Sequence, residues 1–360
     1  MRSFPNRAAV WLAGAVALSL ACAGCSTGTA ADTGQGSAPP GAPSGPGGPS
    51  SDTGKGAGTA TTTTAFAPYV SATTAASTDT TGSPATYNLA FAVADGTDGS
   101  ATCAPAWGGT AAYDSAAVAA RTAKLTASGA DIRVSFGGAA STELALACGS
   151  ADKLAAAYAK ALDAIGASKA DFDIEGSALT DTASITLRNK ALAQLQRKRD
   201  LDITYTLPVM PDGLEKTATA VLTDAAKQGV DLSAVNIMAM NYSTSDTGDM
   251  GDYAESAAEA AHGQIADALG LSSAKAWRAL HITAMIGVND VAGETFTLAD
   301  AAQLRTFARR KGVGALSMWA TFRDQRCADG VSTAKASDTC SGVDQETGAF
   351  AKALAGTETD

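Results

Sequence analysis

The chain has 360 residues, with 26 Lys and Arg against 36 Asp and Glu, for a formal net charge of −10. That acidity excludes polyanionic partners, because nucleic acid and anionic lipid both need a basic face. With only two histidines, His262 and His281, a His-rich metal site is excluded and histidine catalysis has few candidates.

Residues 1–24 read as an export signal. Arg2 and Arg7 form a positive start, Ala8 to Ala21 a short apolar run, and Ala23 and Gly24 a small-residue end. The run is too short and one-sided for a spanning helix. The Ala-Gly-Cys ending resembles a bacterial lipobox, which makes Cys25 the expected lipidation site, although Cys22 stands where that pattern usually has Leu. Without the signal, 24 basic residues face 36 acidic ones, a net −12. Residues 25–64 are rich in Ser, Thr, Gly and Pro and nearly empty of large apolar side chains, so they read as a flexible tether. The expectation is an extracellular domain anchored at the cell surface, touching membrane only through lipid.

From residue 65 to 355, apolar runs alternate with Ala-rich helical stretches. Strands are expected at Phe66–Val70, Tyr87–Ala94, Asp131–Phe136, Ala170–Ile174, Asp202–Leu207, Ala234–Met240, His281–Ile286 and Ala315–Trp319. Helices are expected at Ser115–Ser128, Ser150–Ile165, Thr182–Arg199, Gly213–Gln228, Ala254–Leu269 and Ala299–Arg310, with the weakest helical signal after Val70. Eight such units imply an α/β fold of the (β/α)8 TIM-barrel type. An open doubly wound sheet is the alternative, but no G-x-G-x-x-G follows the first strand. Cys327 and Cys340 share one polar loop and are expected to pair, which leaves Cys103 with Cys148.

In a barrel, function gathers where strands end. On the fourth strand, alternation puts Asp171, Asp173 and Glu175 on one face and Phe172 and Ile174 on the other. The apolar pair suits the helices, so the acids point inward, where like charges raise one another's pKa and suit general acid work. The alternative, an edge strand with its acids in water, conflicts with a mid-barrel position. On the sixth strand Asn236, Met238, Met240 and Tyr242 share a face, with Tyr242 at the mouth. A Met stripe alone is ordinary core, but a tyrosine hydroxyl at a strand end needs a polar partner. Trp319 ends the eighth strand and is either a floor for a sugar ring or a plug.

Together these residues resemble glycoside hydrolase family 18, the chitinase family. Its D-G-x-D-x-D-x-E pattern is matched by Ser168 to Glu175, with Asp171, Asp173 and Glu175 kept and the leading pair replaced by Ser168 and Lys169. Its S-x-G-G is matched by Ser135 to Gly138, its M-x-Y by Met240 to Tyr242, and its last-strand Trp by Trp319. The resemblance runs from about Phe66 to about Phe350, and the segments Cys103–Gly109 and Met285–Asp290 look most like secreted bacterial chitinases. It implies a retaining, substrate-assisted mechanism without metal or cofactor, on a monomer that binds an N-acetylglucosamine-containing glycan. It makes Glu175 the general acid and base. Asp173 orients the N-acetyl group, Asp171 shares its proton, and Tyr242 holds the acetamido oxygen. Replacement of the leading acid puts the pH profile in doubt more than the activity. Trp319 and Met240 would line the site; Trp107, Asp95, Asn289, Asp290 and Arg323 are further candidate sugar contacts, each with a plain structural alternative. A non-catalytic, chitinase-like surface sugar-binding protein is the competing reading, but it would more commonly lack Glu175.

Overall fold

The computed structural model describes residues 63–96 and 99–356. The expected signal, Cys25 and nearly all of the tether lie outside them.

The expected first strand is divided at Ala67 and Pro68 into β1 (Ala65–Phe66) and β2 (Tyr69–Ser71). No helix follows it. Residues between Ser71 and the next strand form turns, held by a 2.9 Å ion pair between Asp79 and Arg121. After β3 (Thr86–Asp95) the chain turns back in an antiparallel hairpin, β4 (Thr102–Trp107) and β5 (Ala111–Ala112), before α1 (Ala116–Leu125). The eightfold strand–helix alternation therefore fails in its first unit and is interrupted in its second. Pro105 and the short apolar stretch around it gave no strand signal along the sequence.

The remaining strands fall within a residue or two of expectation. β6 (Asp131–Gly137) leads through α2 (Leu144–Ala147) and α3 (Ala151–Ile165) to β7 (Lys169–Asp173). Then come α4 (Ser177–Thr180), α5 (Thr182–Gln196), β8 (Asp202–Pro208), α6 (Lys216–Gln228) and β9 (Ala234–Ala239). The chain continues through α7 (Met250–Leu269), α8 (Ser273–Ala279) and β10 (Leu280–Met285), then a small hairpin of β11 (Gly287–Val288) and β12 (Thr295–Phe296). It ends with α9 (Leu298–Lys311), β13 (Ala315–Trp319) and α10 (Ala349–Ala355).

Local chemistry fixes the helix ends. The Ser150 side chain caps α3 and Asp181 caps α5, each accepting from the backbone N–H three residues on. Thr297 and Asp300 form a reciprocal capping box at α9. Gly166, Gly229, Gly270 and Gly312 end α3, α6, α7 and α9 in the left-handed conformation.

The strands β13, β10, β9, β8, β7, β6 and β3 run parallel in that order. β1 pairs with β13, and β2 with β3, so the divided first strand takes partners at both ends of the series. The fold is α/β with a mixed, mostly parallel sheet. One face of the central strands is apolar and packs on helices. Phe136 and Phe172 stack at 5.1 Å, and Tyr158 of α3 lies edge-on to both. The other face carries Ser135, Asp171, Thr206, Asn236 and Thr283, all buried. Buried polar groups at this density require partners for one another.

Candidate active site

Strand register assembles that polar layer. Ser135 stands beside Asp171, Asp173 beside Thr206, Thr206 beside Asn236, and Met238 beside Thr283 on successive strands. Asp171 accepts from the Thr206 hydroxyl at 2.6 Å, from the Tyr69 hydroxyl at 3.0 Å, and from Ser135 in a short hydrogen bond. The Asn236 amide donates to Thr206 at 3.0 Å and to Thr283 at 2.7 Å. Burial pushes the Asp171 carboxyl above its ordinary range, while the Ser135 and Thr206 hydroxyls, the Arg133 charge and Tyr69 oppose the rise.

Asp173 has no such donors. Its Oδ1 is buried without a hydrogen-bond partner, and the side chain faces the cleft above the layer. Burial first, then the charges of Glu175 and Asp171, raise its carboxyl well above the usual carboxylate range. Of the two aspartates, Asp171 is the better anion and Asp173 the better proton carrier. Glu175 lies two residues past the end of β7 rather than on the strand. Burial, then the charge of Asp290, pushes its carboxyl up to about 7.

Two glycines let these groups approach. Gly137 has φ of 90°, and a Cβ there would collide with the Asp173 carbonyl oxygen. A Cβ on Gly138, at φ of 91°, would sit 2.9 Å from the Phe91 ring. The S-x-G-G stretch thus presents Ser135 to Asp171, draws β6 onto β7, and seats Phe91.

Above the layer opens a cleft of about 590 Å³. Asp173, Glu175, Met240, Tyr242 and Trp319 all line it, as expected from the sequence. Asp171 lies beneath, in contact with Tyr69 and Thr206 of the wall. Trp319 stacks on Phe91 at 5.4 Å and meets Tyr69 edge-on at 5.7 Å. The Tyr242 hydroxyl is buried without a partner, and burial raises its pKa, so it remains a neutral donor. Asn241, at φ of 54°, ties this segment to the loop after β10, since its side-chain oxygen accepts from the Asp290 N–H at 2.8 Å.

Four expected sugar contacts do not reach the cleft. Trp107 is buried in β4, where its indole N–H donates to the Tyr113 carbonyl at 3.1 Å. Asp95 ends β3 in an exposed turn. Asn289 is buried and donates to the carbonyls of Met285 and Gly287. Arg323 is fully buried and donates to the carbonyls of Ile286, Val288 and Ser337. Trp107, Asn289 and Arg323 serve nearby backbone and Asp95 points to solvent, which residue type at a strand end does not reveal. Asp290, the other expected contact after β10, does line the wall, and Tyr69, Phe91, Thr206, Met210, Glu215 and Asp338 join it. Tyr69 had a signal, as the lone hydroxyl on a short apolar strand; Glu215 and Asp338 sit in loops and had none. Neither histidine lines the cleft. The expected disulfides Cys103–Cys148 and Cys327–Cys340 are both formed.

No protein-family model matches the chain. It is 35% identical over 255 residues to a probable bifunctional chitinase/lysozyme of Escherichia coli (strain K12), covering 66% of this chain and 28% of that protein. It is 34% identical over 255 residues to endochitinase 11 of Metarhizium anisopliae, covering 66% of this chain and 47% of that protein. The chain therefore spans less than half the length of either curated relative. A solved structure of catalytic-site mutants of chitinase active domain 2 from Pyrococcus furiosus, complexed with chito-oligosaccharides, is 27% identical with a TM-score of 0.70. That match covers 80% of this chain and 92% of the other. These likenesses support a glycoside hydrolase with the α/β fold of the chitinases.

Proposed function

We propose that the chain is a family 18 glycoside hydrolase on a closed (β/α)8 barrel, cleaving β-1,4 bonds at N-acetylglucosamine residues with retention of configuration. The two-sided pairing of β1 and β2 supports the closed barrel. One observation carries the chemistry. Asp173 Oδ1 and the Tyr242 hydroxyl are buried, unpartnered, and face the same cleft as Glu175. An acetamido group would satisfy both, giving its N–H to Asp173 and accepting from Tyr242 at its carbonyl oxygen.

In this reading Glu175 gives its proton to the glycosidic oxygen as the bond to C1 breaks. The acetamido oxygen, held near C1 by Tyr242, forms the new bond to C1 and leaves an oxazolinium ion. Asp173 offsets that charge once its proton passes to Asp171, a transfer that the oxazolinium cation beside Asp173 drives against the hydroxyl donors that favour the Asp171 anion. Water then attacks C1, Glu175 takes a proton from it, and the β configuration returns. The stacked Trp319 and Phe91 give the sugar an apolar floor, and Met240 adds to the wall.

Chitotetraose incubated with the full chain and followed by proton NMR tests this. The β anomer should appear first. Glu175→Gln should lose about 10²–10⁴-fold in kcat, the ordinary contribution of a positioned acid. A first-formed α anomer sinks the mechanism. Binding without cleavage by the wild type favours the non-catalytic sugar-binding reading.

The same reading includes export and a monomeric domain held at the cell surface through Cys25. The two disulfides support an oxidising compartment. Mass spectrometry of the mature N-terminus checks it: a diacylglyceryl group on Cys25 is expected, and an unmodified terminus overturns the anchor.

A further inference from the structure

The cleft carries one sign of charge. Asp173, Glu175, Glu215, Asp290 and Asp338 line it, and no Lys, Arg or His does. The first two are the buried chemical groups. The other three are exposed and come from separate parts of the chain: Glu215 before α6, Asp290 after β10, and Asp338 in the loop closed by Cys327–Cys340.

None of these three makes an ion pair among the described residues. The Glu215 side chain does not cap the helix it precedes. Asp290 accepts from the Asn241 amide at 3.2 Å and nothing cationic. Asp290 first, and then Asp338, lie near enough to Arg323 to act on its charge, but neither pairs with it, because that guanidinium is fully buried and turned to the carbonyls of Ile286, Val288 and Ser337. Asp338 itself is held at the rim by local structure, since Ser337 and Cys340 on either side form an antiparallel bridge. The rim acids thus stand around a cleft whose buried Asp173 Oδ1 and Tyr242 hydroxyl await a ligand.

We infer that this cleft selects its glycan by charge: it favours partly deacetylated β-1,4-glucosamine chains, whose free amines are ammonium ions in mildly acidic water, and disfavours glycans bearing carboxylates. Unpaired carboxylates on a low-dielectric cleft concentrate cations and repel anions. A muramyl carboxylate of a bacterial cell wall, or the acid group of a sialylated glycan, would face three like charges. The inference rests on the proposed hydrolase reading in one respect: the sugar seated at Asp173 and Tyr242 keeps its N-acetyl group, and the ammonium groups lie on its neighbours. Glu215 and Asp338 are the specificity-determining residues at the rim.

Binding separates this inference from the reaction. The full chain with Glu175→Gln, which blocks turnover, is titrated calorimetrically with three probes: fully acetylated chitohexaose, a half-deacetylated hexamer, and a muramyl-containing cell-wall tetrasaccharide. At low salt the half-deacetylated hexamer should bind tighter than chitohexaose, and the muramyl probe weaker. Adding Glu215→Gln and Asp338→Asn together should remove about two- to fivefold of the advantage per carboxylate, as for exposed ion pairs, and cost chitohexaose less than it costs the half-deacetylated hexamer. High salt should do the same. Equal affinities for the two hexamers, or equal losses on both in the double variant, overturn the inference. Failure of the wild type to cleave chitotetraose would instead count against the hydrolase, and leaves these affinities readable.

Discussion

After burial, the charge of Asp290 is what raises the Glu175 carboxyl to about 7. An acid catalyst works while protonated, so the alkaline limb of kcat should fall near that value. Asp290→Asn removes the negative charge, lets Glu175 ionise more easily, and should move the limb to lower pH by about half a unit to one unit. A kcat–pH series on chitotetraose checks this; a limb that stays or rises contradicts it. Asp171 and Asp173 were legible in the sequence because alternation along a strand leaves acids nowhere to point but inward when Phe172 packs on the helices; Glu175, past the strand end, was reached only by extending that pattern. Asn289 and Asp290 were both plausible contacts, and only Asp290 lines the wall. The difference arises because β10 ends at Met285 and Gly287 turns at positive φ, so strand alternation no longer predicts side-chain direction.

At the scale of elements, the closest approach in the site is that of β6 to β7 at Gly137. Gly137→Ala adds a Cβ against the Asp173 carbonyl and imposes a left-handed φ on a residue with a side chain. The cost should be about 2–4 kcal/mol, read from urea melts. Because relief requires β7 to move, kcat should fall as well, and a variant with wild-type stability and rate would show the approach to be unnecessary. The helices were readable from their caps: Ser150, Asp181 and Thr297 at their starts and the glycines at their ends have local causes. The β4–β5 hairpin has none. Its pairing with β3 is tertiary, and Thr102 to Trp107 carries a proline and no alternation that marks a strand.

For the molecule as a whole, stability is shared between the core and two covalent links. Cys103–Cys148 closes 45 residues of chain and Cys327–Cys340 closes 13. Loop entropy then gives the longer link ~4 kcal/mol and the shorter ~3 kcal/mol of stabilisation. Replacing Cys103 and Cys148 by Ala together should lower the melting temperature more than replacing Cys327 and Cys340, and reductant should mimic the two losses combined. Equal or absent effects would place the constraint elsewhere. The alternation of strands and helices was legible across the chain because each parallel strand needs a crossover to its neighbour. The exception was the first unit, where the two ends of the strand series meet on one short segment.

That segment has a consequence in time. Ala65 pairs with Ala315, so the first of the described strands finds a partner on the last of the parallel series. The other parallel strands from β6 onward can pair with neighbours as they emerge, but this contact spans most of the polypeptide and carries the loop-closure cost of that separation. Until β13 exists, β1 has an unpaired edge, and an incomplete chain exposes it to other molecules. Completion of the sheet is therefore a late event, and a chain truncated before Ala315 would leave β1 without its partner strand.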